Sequence, residues 1–291
     1  MAWIPWSPCD ASCLPAPGTL DEVPAQQRLM RYALTVAVIV AAFVTALALP
    51  LLTPVRRARA VQQFARWLLA ALGVRLDAPP DRRLSDSTPG AGTLVVANHV
   101  SWLDVIALLA VEPVGMLAKR ETREWPFIGT IADRIGTVYA DRERLRALPG
   151  TVAELAGTLR SGRSMVVFPE ATTWCGTSSG RFRPAMFQAA IDAAAPIRPV
   201  AVRYRLAGGR STTVAAFIGE DTLLASLRRI ARTNGLVVDV RPRTTLAPDS
   251  GRRNLARRAE AAITALPAHR RRTTVIRTAD GRQTSRRLTA R

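Results

Sequence analysis

Cysteine, histidine and lysine are all scarce in this 291-residue chain, with three, two and one copy respectively, the lysine being Lys119. The histidines, His99 and His269, stand far apart. Cys9, Cys13 and Cys175 show no metal-ligand spacing, so no metal site is expected. Nothing suggests a disulfide framework: Cys9 and Cys13 could pair if exported, but unpaired thiols are the expectation. Aromatic residues make up 5% of the chain. They are not interleaved with basic residues as single-stranded nucleic acid binding requires, so no specific nucleic-acid partner is expected. Acidic residues number 22 against 41 basic ones.

That imbalance gives a formal net charge of +19 and a sequence pI near 11.6. Such a chain is attracted to anionic lipid, polyphosphate or nucleic acid. Hydrophobic residues make up 48%, enough for one sizeable domain and a smaller appendage. An apolar run without a charge extends from Tyr32 to Leu52, long enough to cross a bilayer as a helix. Arg56, Arg57, Arg59 and Arg66 follow it, whereas Arg28 and Arg31 upstream are offset by Asp10, Asp21 and Glu22. This bias places the C-terminal side in the cytoplasm, with the chain in the inner membrane. Ala46-Leu47-Ala48 resembles a signal-peptide cleavage site, but the run starts late and ends in arginines, as a stop-transfer segment does. Val61, Phe64, Leu68 and Leu72 then form a second helical stripe, stopped by Gly73. This helix either lies in the membrane interface or packs on the main domain. The pair is therefore a spanning helix with an interfacial one, or a hairpin held in one leaflet.

Five regions result. Residues 1–30 form a disordered extension, 31–76 the membrane-associated helices, and 77–92 a linker rich in Pro, Ser and Gly. Residues 93–266 form the main domain, and 267–291 an arginine-rich disordered tail. Within the main domain, strands near 93–97, 114–118, 137–140, 165–168, 198–205, 212–218 and 236–240 are interspersed with helical segments. This pattern predicts an α/β fold: a mixed, largely parallel sheet flanked by helices, preceded by the N-terminal membrane-anchoring helical segment.

The chemistry centres on Asn98-His99-Val100-Ser101-Trp102-Leu103-Asp104, between a predicted strand and a predicted helix. α/β folds bind and react at the carboxyl ends of their strands. On one continuous helix His99 and Asp104 would be about 140° apart. With His99 in the turn and Asp104 in the first helical turn, the carboxylate can hold one ring nitrogen. The other is then free to take a proton from a hydroxyl, the division of labour used in acyl transfer. A second reading stays open, in which Ser101 and Asp104 form a capping box and His99 is a polar loop residue. Other predicted strands end in Lys119, in Asp141-Arg142 and in Pro169-Glu170-Ala171-Thr172-Thr173, with Arg181 and Arg183 beyond. Arginines and hydroxyls suit phosphate oxygens. Singly, Arg142 also reads as a solvated charge and Glu170 as a turn residue.

Taken together, these segments resemble the bacterial phospholipid/glycerol acyltransferase family, of the lysophosphatidate (1-acylglycerol-3-phosphate) acyltransferase type. Asn98-His99 with Asp104 matches its NHxxxxD motif. Residues 118–142, with Trp125-Pro126-Phe127-Ile128-Gly129, match the second block, Phe168-Pro169-Glu170 the third, and Pro196 to Val202 the fourth. The resemblance implies transfer of a fatty acyl group from acyl-CoA or acyl carrier protein to a lysophospholipid hydroxyl, with no cofactor and no covalent acyl-enzyme. It implies His99 as general base and Asp104 as its partner. Asn98, Ser101, Lys119, Arg142, Glu170, Thr172 and Thr173 become substrate-binding residues. Thr173 stands where many members carry a headgroup arginine, and Arg181 or Arg183 is expected to replace that charge. Ala171 stands where glycine is usual. If that position needs a positive φ, alanine costs about 1 kcal/mol. Lyso-ornithine lipid is the alternative acceptor. A non-catalytic, membrane-anchored basic binding protein is the rival of a different class, and the absence of a G-x-S-x-G elbow argues against a serine hydrolase.

Overall fold

Four successive apolar residues, Leu94–Ala97, form strand β2, and none of them reaches solvent. A β-branched run covered on both faces behaves this way. The computed structural model describes residues 5–16, 18–48, 51–81, 83–86, 90–124, 128–134, 136–140 and 145–265. Among these, β2 sits at the centre of a seven-stranded sheet with β1 (Arg75–Asp77), β3 (Gly115–Lys119), β4 (Val138–Ala140), β5 (Met165–Val167), β6 (Ile197–Leu206) and β7 (Leu236–Pro242). The order is β1-β7-β6-β2-β5-β3-β4. Strands β2 to β6 are mutually parallel, whereas β7 runs antiparallel to β6 and β1 parallel to β7. The expected mixed, largely parallel sheet is therefore the fold. Its consequence for the site is that β2 to β6 all end on one edge.

Helices cover both faces. On one, Val95 and Ala97 of β2 pack with α2 (Pro54–Ala71) and α3 (Leu103–Val111). On the other, Leu94 and Val96 pack with α5 (Leu148–Arg160), α6 (Phe187–Asp192) and α8 (Arg252–Thr264). This is the two-residue alternation of a strand. Helix α4 (Ile128–Arg134) links β3 to β4, and α7 (Leu223–Arg232) precedes β7.

Helix α1 (Ala25–Ala48) is long and apolar enough to cross a membrane, and only 17% of its most apolar stretch is buried. Leu34, Val36, Val40, Val44 and Leu47 are exposed along it. Arg31, near its start, is buried and donates to the carbonyls of Ala231 and Thr233, both at 3.0 Å, at the carboxyl end of α7. A Cβ on Gly73 would lie 2.1 Å from that guanidinium, and Gly73 itself has φ +74°, so glycine is required twice over. Helix α2 takes the second of its two predicted roles. Ala65, Leu69 and Leu72 enter the core, while Gln62 and Arg66 donate to carbonyls at the end of α3.

Four expectations need correction. The N-terminal extension is ordered where it is described: Asp10 caps a 3-10 turn at Ala11–Cys13, and Cys9 and Val23 are buried. Backbone bonds from Val23 to Arg232 and from Asn234 to Asp21, each 2.9 Å, hold it. Such bonds leave no trace in composition. The 77–92 linker is also pinned, because Leu84 is buried and Glu112 accepts from the N–H groups of Leu84 and Ser85. Strand β1 was not expected. Arg205 and Arg241 bind both Asp77 and Asp239, fastening this edge strand to β6 and β7. Finally, 212–218 is not a strand. Arg229 takes the carbonyls of Val214 and Ala216, both at 2.8 Å, which a sheet neighbour would otherwise use. The 267–291 tail lies outside the described residues.

Candidate active site

The turn after β2 carries His99, and α3 carries Asp104 in its first turn. His99 Nδ1 lies 2.9 Å from Asp104 Oδ2. The same oxygen accepts from the backbone N–H of Val100 at 2.7 Å and of Ser101 at 2.9 Å. The other oxygen accepts from the Tyr204 hydroxyl at 2.5 Å. The Asp104 side chain is fully buried, whereas that of His99 keeps 20% exposure. Asp104 thus does both things the sequence left open: it bonds to the turn backbone, as a capping residue does, and it holds the imidazole. A proton on Nδ1 facing the carboxylate leaves Nε2 as an acceptor.

The ring is held from below and behind. Phe168 stacks on it with centroids 4.0 Å apart and planes 17° apart. The carbonyls of His99 and Val100 accept from the N–H groups of Trp174 at 2.8 Å and Phe217 at 2.9 Å. The His99 N–H donates to Glu170 Oε2 at 2.5 Å, and Gly180 N–H donates to Oε1 at 2.9 Å. A Cβ on Gly180 would lie 2.5 Å from the Trp174 indole nitrogen, so this close approach needs glycine. Burial pushes the Glu170 carboxyl up to about 7, against the lowering effect of those two N–H groups. Tyr204 is raised well above its usual value by burial and by the adjoining Asp104. Asn98, Glu170, Gly180 and Tyr204 border a cavity of about 610 Å³, whose far walls come from the N-terminal segment and α8.

A family model described as Acyltransferase matches residues 81–203, which include His99, Asp104 and Glu170. A lyso-ornithine lipid O-acyltransferase from Pseudomonas aeruginosa is 36% identical over 215 residues, covering 72% of this chain and 79% of that protein. This chain belongs to the acyltransferase family. A 1-acyl-sn-glycerol-3-phosphate acyltransferase from Neisseria meningitidis is 40% identical over 159 residues, 55% of this chain and 61% of that one. The crystal structure of the 1-acyl-sn-glycerophosphate (LPA) acyltransferase PlsC from Thermotoga maritima matches with a TM-score of 0.62 at 19% identity. It covers 82% of this chain and 92% of that one, a likeness of fold. Family membership sets aside the readings as a non-catalytic binding protein and as a serine hydrolase.

In this acyltransferase several residues expected to bind substrate are engaged elsewhere. Ser101 is fully buried, and its hydroxyl accepts from Leu103 N–H at 3.3 Å. Asn98 uses both ends of its amide on the backbone of Val202, at 2.9 and 2.8 Å, joining β2 to β6. Both Glu170 oxygens accept from backbone. The Thr173 hydroxyl donates to the Phe217 carbonyl. These contacts have one cause: at a strand edge the turn backbone has unmet donors and acceptors, and nearby polar side chains meet them. Thr172 is half-buried in the same turn, Arg181 and Arg183 are exposed on the loop beyond, and Lys119 ends β3 on the same sheet edge. Arg142 lies outside the described residues, as do Trp125, Pro126 and Phe127.

Sequence reasoning missed Tyr204, Trp174 and the part played by Phe168. Tyr204 carries no local signal, since it reads as one more core residue of β6. The metal-free, unpaired reading of the cysteines overlooked that Cys9, Cys13 and Cys175 meet, although no disulfide joins them. Burial opposes ionisation of Cys175, but hydrogen bonds with Thr177, Ser178 and Cys9 together outweigh it and bring that thiol down to about 6.

Proposed function

We propose that this acyltransferase moves a fatty acyl group from acyl-CoA or acyl carrier protein to the free hydroxyl of a lysophospholipid, with lysophosphatidate as acceptor and phosphatidate as product. The contact between His99 Nδ1 and Asp104 Oδ2 carries the reading. His99 Nε2 takes the hydroxyl proton while the oxygen attacks the thioester carbonyl. The tetrahedral intermediate then collapses, the thiolate leaves, and the imidazolium returns a proton to sulfur. Asp104 stabilises the imidazolium, and Phe168 with the pinned turn keeps the ring in place. Neither a covalent acyl-enzyme nor a cofactor is needed, because the thioester already activates the carbonyl. Lys119, Arg142, Arg181 and Arg183 supply positive charge for the headgroup phosphate.

The exposed apolar side of α1 rests in the membrane. Helix α1 also packs on α2, and α2 is bound into the core, so a hairpin seated in one leaflet fits the packing better than a free span. The arginines after α1 favour the cytoplasmic face of the inner membrane. A lyso-ornithine lipid is the second acceptor reading, because Thr173 brings no cation and its hydroxyl is engaged. Membranes holding the protein, given acyl-CoA and a panel of lysolipids, should yield one acylated product class by mass spectrometry, absent with His99→Ala. Product formation by the His99→Ala protein would refute the mechanism. Unchanged acceptor KM in Arg181→Ala and Arg183→Ala would refute their headgroup role.

A further inference from the structure

Cys9, Cys13 and Cys175 come from two segments far apart in sequence, yet their three sulfur atoms lie within 4.8 Å of one another. Cys9 and Cys175 are buried and Cys13 is half-buried. The 3-10 turn at Ala11–Cys13, capped by Asp10, returns the chain so that Cys9 and Cys13 face the same point. Cys175 approaches from the loop after β5. Two of the sulfurs already have polar neighbours: Cys175 N–H donates to Cys9 Sγ at 3.4 Å, and the Thr177 hydroxyl, able to donate or accept, lies 3.0 Å from Cys175 Sγ. The backbone leading out of the cluster is fixed too, since Thr213 donates its hydroxyl to the Cys13 carbonyl at 2.7 Å.

We propose that these three cysteines form a structural site for one thiophilic metal ion of the zinc class, with a fourth ligand drawn from solvent on the Cys13 side. Zinc–sulfur bonds of about 2.3 Å hold tetrahedrally placed sulfurs about 3.8 Å apart, within the limit seen here. N–H and O–H donors to sulfur are what thiolate ligands carry in their surroundings. Binding displaces the thiol protons to solvent. A disulfide would use two of the sulfurs and leave the third a bystander, whereas a metal uses all three. The ion has a mechanical task. The segment around Cys9 and Cys13 packs on the core through Cys9, Leu14 and Leu20, and an ion shared with Cys175 would fix that packing. Pro15, Thr19 and Leu20 form one wall of the cavity that Asn98 and Glu170 border, and Cys175, Gly176 and Thr177 form another. The metal staples these two walls together. The inference does not depend on which lysolipid is the acceptor.

The test uses the full chain purified in detergent under reducing, oxygen-free conditions. Elemental analysis should find one zinc per chain. Cobalt(II) in its place should give thiolate charge-transfer bands together with the visible bands of a tetrahedral ion. Ellman's reagent should find the thiols protected until a chelator is added. Cys9→Ser and Cys13→Ser, each checked for fold by circular dichroism, should lose the metal. Chelation should also speed proteolysis within residues 5–24. A metal-free wild-type protein with three freely reactive thiols, which takes up no cobalt, would overturn the proposal. So would a mass showing a disulfide within the cluster. Both of those outcomes are read on the wild type, so a variant that fails to fold does not protect the idea.

Discussion

Asp104 is fully buried and accepts four hydrogen bonds, from His99, Val100, Ser101 and Tyr204. A buried carboxylate needs each of its lone pairs met by a donor, and here four donors meet them. Asp104→Asn presents an amide where an acceptor is required and favours the opposite imidazole tautomer. Turnover should fall about 10²–10⁴-fold, measured beside a circular dichroism spectrum that shows the fold retained. Ala171 has φ 63°, the conformation in which alanine is strained and glycine is not. Ala171→Gly should therefore raise stability by about 1 kcal/mol, read from the thermal unfolding midpoint. Glu170 is the residue to watch in a pH series. Its carboxyl rises from 4.5 to about 7 on folding, through burial above all. The folded state thus favours the protonated form. The stability this contributes is complete below about 4.5 and is lost as pH rises through about 7. Glu170→Gln should flatten that slope in unfolding midpoints taken across the same range, and an unchanged slope would assign the pH dependence to other groups.

At the scale of elements, α1 separates two tasks along its length. Its first turns are fastened by Arg31 to the carboxyl end of α7, where the helix dipole favours a cation. Its later turns present Val36, Val40 and Val44 outward. A charge placed at Val40 would meet hydrocarbon and cost about 2.5–3.5 kcal/mol if it reaches the bilayer centre. Val40→Asp should therefore shift the protein from the membrane pellet towards the supernatant in fractionation, with the fold of the sheet domain unchanged. The elements best marked in the sequence are those with a strong local period. Strands β2, β5 and β7 fall within a few residues of their expected places. Strand β1 and the 212–218 segment were misjudged because neither outcome depends on the segment itself. A three-residue edge strand exists because Asp77 pairs with Arg205 of β6 and Arg241 of β7, which also hold Asp239. An apolar stretch fails to be a strand because Arg229 has claimed its carbonyls.

Over the whole molecule, the surplus of arginine is put to two uses. Arg31, Arg66, Arg198, Arg203 and Arg229 donate to main-chain carbonyls, and Arg205 and Arg241 form an ion-pair cluster. The positive field is nevertheless large, with a net charge of +19. Binding to vesicles should be stronger when they contain anionic lipid, and that added strength should fall as salt rises, because exposed charges are screened beyond about 10 Å at 0.1 M. Flotation of the protein with neutral and anionic vesicles over a salt series measures both effects. Equal binding to the two vesicle types would show that the apolar helix alone holds the protein to the membrane.

Three features are legible along the chain alone: the alternation of β and α segments, the long apolar run of α1, and the pairing of His99 with Asp104. All three rest on patterns contained within a helix, a strand or one turn. Only in the folded protein does Tyr204, 100 residues from Asp104, complete its hydrogen bonds, and Asn98 tie β2 to β6 across 104 residues. The fold alone brings Cys9 to Cys175 across 166. Those partners are chosen by sheet order and by which buried donors and acceptors remain unmet once the core has closed. Spacing along the chain carries no record of either.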